Sequence, residues 1–183
     1  DTVIIFNAGL AAYNDKNYDK AIQYYSEAAK YGYNGGRTYT LLSKAQLERK
    51  DTLVAITTLN EAFEKYPTDN SVLVEMINIY INTKKTDEAM KYLSLAIEQD
   101  PKNASYYFAQ GSLYDGMGKQ EEAITSYEKA IETNQEFYDA YYNLGALYYN
   151  RGVKQIEIAN KVPANENSRY EAELAKSDEW FAK

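Results

Sequence analysis

The feature that most constrains the fold of this chain is a set of alanines that recurs with a period of 34 residues. Two positions, seven residues apart, are filled by Ala21, Ala55, Ala89 and Ala123 and by Ala28, Ala62, Ala96 and Ala130. Residues seven apart lie on one face of an α-helix, so each pair of alanines marks one helix that packs on a neighbour. A larger side chain would overpack such a close contact, at a cost of about 1–3 kcal/mol. The register therefore predicts four tightly packed pairs of antiparallel helices.

Two further sets of residues follow the same period. A large residue lies between the two alanines of each helix, in the set Tyr25, Leu59, Leu93 and Tyr127. A mostly small residue lies on the preceding helix, in the set Gly9, Ser43, Ile77, Gly111 and Gly145. Small residues let two helices approach closely, and Ile77 should push its helix pair slightly apart. The segment 141–148 also repeats the pattern of the segment 107–114.

These spacings resemble the tetratricopeptide repeat, whose period is 34 residues. The resemblance covers nearly the whole chain and predicts a single array, with repeats over residues 2–35, 36–69, 70–103 and 104–137 and an incomplete fifth repeat over 138–183. It implies an all-α fold, namely a right-handed superhelical solenoid of antiparallel helix pairs with one concave and one convex face.

Local signals predict where the helices begin and end. Pro67 and Pro101 should end second helices, because proline cannot donate to the preceding turn and disfavours helix just before it. The predicted N-caps are Asp51, Asn70 and Asn103, and the helix after Asp51 should run to about Lys65. Gly35-Gly36 should break the chain between the first two repeats.

The fifth repeat departs from the period, because Glu157 stands where the next alanine is due. The apolar pattern continues instead, which predicts one long helix from about Tyr138 to Val162. A loop from Pro163 should lead to a last helix that is capped by Ser168. A true second helix could begin only near Glu179, with Ala182 as the displaced packing alanine. The chain would then be a fragment of a longer array. Its start at Asp1 rather than at methionine would reflect a removed signal peptide or an engineered start.

Composition excludes several function classes. The net charge of −7 and the isoelectric point near 4.8 argue against nucleic-acid binding, which needs a basic face. The chain has no Cys and no His, so it lacks thiol chemistry, the commonest general base and the commonest metal ligand. No apolar run approaches the roughly 20 residues of a membrane span. We predict no enzyme activity, catalytic residue, metal site or cofactor. Asp15-x-Asn17-x-Asp19 begins like a calcium loop, but Lys20 replaces its glycine.

The family resemblance implies a peptide-binding concave face that is lined by the first helix of each repeat. Transferred by register, the candidate binding residues are Phe6, Tyr13, Arg37, Lys44, Val74, Asn78, Phe108, Tyr142 and Tyr149. Only Arg37, Lys44 and Asn78 resemble the set that clamps a peptide carboxylate in some members of the family. An aromatic groove fits the sequence better, since exposed aromatic rings suit binding hot spots. The alternative is that neighbouring repeats bury several of these rings.

Two functions follow as hypotheses. The first is a non-enzymatic scaffold that binds a protein or peptide segment on its concave face. The second is a structural assembly segment of a larger envelope or surface protein, which self-associates through its C-terminal edge. An apolar patch is expected at that edge unless the last helix folds back over it. The lack of cysteine and the many Tyr and Asn residues resemble secreted or periplasmic bacterial repeat proteins, although a cytosolic scaffold could look the same.

Overall fold

A computed structural model describes all 183 residues as ten α-helices joined by short turns, without β-strands. The helices are α1 (Thr2–Asn14), α2 (Tyr18–Lys30), α3 (Gly36–Glu48), α4 (Thr52–Lys65), α5 (Asn70–Asn82), α6 (Thr86–Gln99), α7 (Ala104–Gly116), α8 (Gln120–Thr133), α9 (Tyr138–Ala159) and α10 (Asn167–Phe181). The predicted all-α architecture of packed helix pairs is confirmed. None of the ten helices has both the length and the apolar composition of a membrane-spanning segment.

The turn inside each of the first four helix pairs has the same backbone geometry. The residues with positive φ are Lys16, Lys50, Lys84 and Gly118, which are spaced 34 residues apart. At the first of these turns, the amide of Asn17 donates to the carbonyl of Ala12 at 2.8 Å, and the other three turns repeat this bond. This closure satisfies carbonyls at the end of the first helix and reverses the chain. The period therefore extends to the backbone of the turns.

The chain forms two compact units, and the first covers Asp1–Asp100 with α1–α6. The four predicted packing alanines of α4 and α6 are completely buried, as are those of α2. Tyr25 fills the space between two of these alanines, and a Cβ placed on Gly9 would lie 2.7 Å from its ring. The close approach of two helices that was predicted from the set of small residues is therefore present in the first helix pair.

The second unit covers Pro101–Lys183 with α7–α10. Ala123 and Ala130 are completely buried between α7 and α8, and Tyr127 lies against Gly111. Helix α9 is 22 residues long, whereas α7 has 13. Gly152 stands in register with the positive-φ Gly118, yet it lies inside α9 and packs against Phe181 of α10. The predicted long helix is confirmed, with its end at Ala159 instead of Val162.

Three predictions about helix ends need correction. Asp69, and not Asn70, caps α5, because its carboxylate accepts from the amide of Ser71 at 2.9 Å. Asp51 stands at the N-cap of α4, but its side chain makes no capping hydrogen bond. Helix α10 begins at Asn167, so Ser168 is already helical and does not cap it. Asn103 caps α7 as predicted.

The predicted displacement of the last packing alanine is also wrong. Helix α10 is continuous from Asn167 to Phe181 and packs antiparallel on α9, so no new helix begins near Glu179. Ala182 lies exposed beyond the end of α10. The one fully buried residue of α10 is Ser177, whose hydroxyl donates to the carbonyl of Leu174 at 2.6 Å.

Candidate functional site

The candidate residues of α1 lie partly in the core of the first unit. Phe6 is only 4 % exposed, and its ring packs against Tyr25 and Tyr33 with centroid distances of 5.9 and 5.2 Å. It contributes to stability and offers no surface to a partner. Tyr13 is half-buried and makes an edge contact with Tyr18. Burial raises the pKa of the Tyr13 hydroxyl, with a smaller contribution from the nearby carboxylate of Glu48.

The other candidates of the first unit lie on α3 and α5. Arg37 and Asn78 are exposed, and Val74 is half-buried. The ammonium of Lys44 lies 3.2 Å from a carboxylate oxygen of Glu75, which is itself buried. Lys44 is therefore engaged in neutralising an internal charge, whereas Arg37 and Asn78 present free polar groups to solvent.

The candidates of the second unit differ strongly in exposure. Phe108 is half-buried, with its ring 5.7 Å from that of Tyr127 and 5.2 Å from that of Phe137. Tyr142 and Tyr149 are 78 % and 61 % exposed. They are seven residues apart, so both rings lie on one side of α9.

Tyr142 and Tyr149 belong to a larger exposed surface, which we call the α9 face. It consists of Tyr138, Tyr141, Tyr142, Gly145 and Tyr149, all exposed and spaced at helical intervals. Tyr138 is 75 % and Tyr141 is 47 % exposed. Sequence reasoning missed these two residues because the family register does not place them on the concave face. The nine-residue extension of α9 past the usual helix end was the one available signal.

The glycines at the small-residue position of the first helices show that the α9 face lacks a covering helix. A Cβ on Gly9 would lie 2.7 Å from the ring of Tyr25, and one on Gly111 would lie 2.6 Å from the ring of Tyr127. A Cβ on Gly145 would meet no atom within 4 Å. The close approach predicted at Gly145 is therefore absent.

Helix α10 covers only the C-terminal half of α9. Trp180 stacks on Tyr148 at a centroid distance of 6.1 Å, and the guanidinium of Arg151 lies 4.8 Å from the Trp180 ring. Tyr148 is buried, and its hydroxyl donates to a carboxylate oxygen of Glu128 at 3.0 Å. Burial, followed by the hydrogen bond to Glu128, raises the pKa of Tyr148. The apolar patch predicted at the C-terminal edge is thus covered at Tyr148, because α10 folds back.

A small cavity lies where α10 ends. It has a volume of about 240 Å³ and is lined by Gly145, Tyr148, Tyr149, Trp180, Phe181 and Lys183. The ammonium of Lys183 lies 4.5 Å from the centre of the Trp180 ring. The α9 face therefore continues directly into the contact between α9 and α10.

The acidic residues do not form a metal centre. No three of them come together in a cluster that could hold an ion. In the calcium-like segment, Asn17 caps α2 by accepting from the amide of Lys20 at 3.3 Å, and Asp19 pairs with Arg49 at 2.6 Å. These side chains therefore have structural partners, and the exposed aromatic surface is the most distinctive feature available for binding.

Models of the tetratricopeptide repeat family match three segments of the chain. A model described as TPR repeat matches residues 111–152, and two models described as tetratricopeptide repeat match residues 46–113 and 4–31. No curated protein matches the sequence significantly.

Similar solved structures share the fold. The structure of a MamA protein has a TM-score of 0.71 at 24% identity and covers 99% of this chain and 93% of its own. A TPR repeats protein from Bacteroides fragilis has a TM-score of 0.58 at 26% identity, with 100% and 86% covered. YrrB, described as a TPR protein with an unusual peptide-binding site, has a TM-score of 0.64 at 21% identity, with 78% and 73% covered.

Proposed function

This chain belongs to the tetratricopeptide repeat family, a family of protein-interaction modules, and we propose that it is a non-enzymatic scaffold that binds a protein or peptide segment. The observation that carries the proposal is the exposure of Tyr142 and Tyr149 on one side of α9. Tyrosine gives a large contact area at a low cost in conformational entropy and keeps a hydroxyl for hydrogen bonding. Such rings are typical anchors of binding hot spots.

The first unit carries candidate binding residues of its own. Arg37 on α3 and Asn78 on α5 are exposed polar residues, and the ammonium of Lys44 is shared with Glu75. Tyr13 and Val74 offer partly exposed apolar area. We assign these five residues to the concave face by the family register. Phe6 is left out because it is buried, and Phe108 can contribute only part of its ring.

YrrB is described as having an unusual peptide-binding site, which supports a peptide ligand for this chain by analogy of fold alone. The second candidate function is structural assembly, since the α9 face exposes four tyrosines. We extend the proposal to a bacterial periplasmic or envelope location, which a chain without cysteine tolerates.

Peptide selection on the immobilised full-length chain tests the proposal. We expect selected peptides to lose about fivefold or more in affinity against Tyr142→Ala and against Tyr149→Ala, which is about 1 kcal/mol for each anchor. Fluorescence anisotropy of a labelled peptide measures the loss, and circular dichroism checks that helicity is kept.

The matched control is Tyr31→Ala, which removes a similarly exposed tyrosine from the turn after α2 that is not one of the candidate binding residues. Its affinity should equal that of the wild type. Unchanged affinity in both α9 variants would contradict the assignment of these tyrosines as anchors.

A further inference from the structure

We infer that the α9 face binds one helix of a partner protein. This helix is amphipathic and has a basic C-terminal turn. This inference rests on the proposed function and specifies the shape and charge of the ligand. The partner helix would lie antiparallel to α9 and take the place that a second helix occupies in the complete repeats.

The complete repeats of this chain show which kind of helix packs on such a surface. In the first and fourth repeats, a second helix lies over the small residue of the first helix, with Tyr25 against Gly9 and Tyr127 against Gly111. Alanines four residues before and three residues after the large residue let the backbones approach. Gly145 occupies the equivalent position on α9 and has free space above it. The fitting ligand therefore has a large apolar residue flanked by two small ones.

The α9 face is continuous with the contact between α9 and α10. Helix α9 extends nine residues beyond the register of the other first helices, and α10 packs on this extension, with Phe181 against Gly152. Helix α10 then ends beside Tyr149. The uncovered stretch from Tyr138 to Tyr149 is about 17 Å long, enough for roughly three turns of helix. A partner helix in line with α10 would cover it.

Charge favours a basic partner over a second copy of this chain. Glu136 and Asp139 lie exposed at the N-terminal end of α9, and neither forms an ion pair. The second unit carries nine basic and thirteen acidic side chains, a net charge of −4. Two copies of the whole chain, each with a net charge of −7, repel one another. An antiparallel partner helix ends near Asp139, where basic residues also complement its own dipole.

The available area sets the strength of binding. The exposed parts of the four tyrosines and Phe181 offer roughly 600 Å², less than the roughly 800 Å² per partner of a standard stable interface. Binding should therefore be weak and reversible. A three-turn helix is also unstable alone in water, so a short peptide folds as it binds and loses further affinity.

The probe for this inference is a peptide that copies a second helix of this chain. Residues 52–65 of α4 carry Ala55, Leu59 and Ala62, which pack on α3. The peptide is acetylated, amidated and fluorescently labelled, and it carries Glu61→Lys and Glu64→Lys, which makes its last turn basic. Anisotropy titration with the full-length chain should show saturable binding. The peptide with the original glutamates should bind several-fold more weakly.

The decisive variant is Gly145→Leu, which places a bulky side chain on the α9 face, where its Cβ meets no other atom. We expect it to weaken binding of the basic peptide by about tenfold or more. The matched control is Asn150→Leu, which adds the same side chain at an exposed position of α9 outside the α9 face. Asn150→Leu should bind like the wild type. Equal affinity of wild type and Gly145→Leu, or no saturable binding of the basic peptide, would overturn the inference.

Two further outcomes separate this inference from other possibilities. If library-selected peptides depend on Tyr142 and Tyr149 but bind Gly145→Leu normally, the proposed function stands. The inference that the α9 face binds a partner helix is then wrong. Sedimentation velocity without peptide should show a monomer at all concentrations. A dimer that Gly145→Leu dissociates would replace the basic partner helix by a second copy of the chain and would overturn the inference.

Discussion

Among single residues, Tyr25 shows how a repeat position can be well packed and still carry a polar defect. Its side chain is fully buried, and its hydroxyl has no hydrogen-bond partner. Tyr127 holds the same register, but its hydroxyl donates to the hydroxyl oxygen of Ser112 at 3.3 Å. A buried polar group without a partner costs about 1–3 kcal/mol. The same residue type at the same repeat position therefore differs in its contribution to stability.

The substitution Tyr25→Phe should raise the free energy of unfolding by about 1 kcal/mol, because it removes the unpaired hydroxyl and keeps the ring. Tyr127→Phe, the matched control, should lower it by a similar amount because a hydrogen bond is lost. Urea unfolding followed by circular dichroism measures both. A loss of stability in Tyr25→Phe would show that its hydroxyl has a partner in solution.

The same substitution should change the response to alkaline pH. Burial raises the pKa of Tyr25 to about 12, from about 10 in the unfolded chain. Below pH 10 the hydroxyl is protonated in both states, so stability does not depend on its titration. Between about pH 10 and 12 the unfolded chain ionises first, and stability falls. Tyr25→Phe should show a smaller fall over this range in urea titrations, and identical slopes would argue against a buried tyrosine hydroxyl.

Among the helices, α7 and α9 carry glycine at equivalent positions with opposite surroundings. Gly111→Ala would place a Cβ against the Tyr127 ring and should destabilise the chain by about 1–3 kcal/mol through overpacking. Gly145→Ala meets nothing and should stabilise it by about 0.5–1 kcal/mol, because alanine favours helix more than glycine does. Thermal and urea unfolding of the two variants measures the difference. Destabilisation by Gly145→Ala would mean that the α9 face is covered in the free protein.

For the whole molecule, net charge should govern which peptides associate. At 0.1 M salt the screening length is about 10 Å and at 1 M about 3 Å. The affinity of the basic α4-derived peptide should therefore fall as salt rises, because its attraction to a chain of net charge −7 is screened. The peptide with the original glutamates should show no such fall. Anisotropy titrations over this range test the trend, and a salt-independent affinity would remove the electrostatic part of the proposal.

The repeat period made much of the fold predictable from sequence. The aligned alanines and the large residues between them are buried as predicted, because local volume and helical spacing determine close packing. Proline, glycine and capping residues located most helix ends to within one or two residues. At Asn70 the neighbouring Asp69 is equally able to cap, so that backbone geometry makes the choice. Helix α10 begins one residue before Ser168, after Glu166, whose side chain makes no cap.

The sequence by itself thus determined the helices, their period and the identity of the packing residues. Only the tertiary structure decided which aromatic rings are exposed. Phe6 and Tyr142 hold the same register, yet the first is buried by Tyr25 and Tyr33 and the second is open. A ring's burial depends on whether a separate segment covers it. In the fifth repeat, α10 packs on the extension of α9 rather than on Gly145, and that displacement of one helix leaves the α9 face exposed.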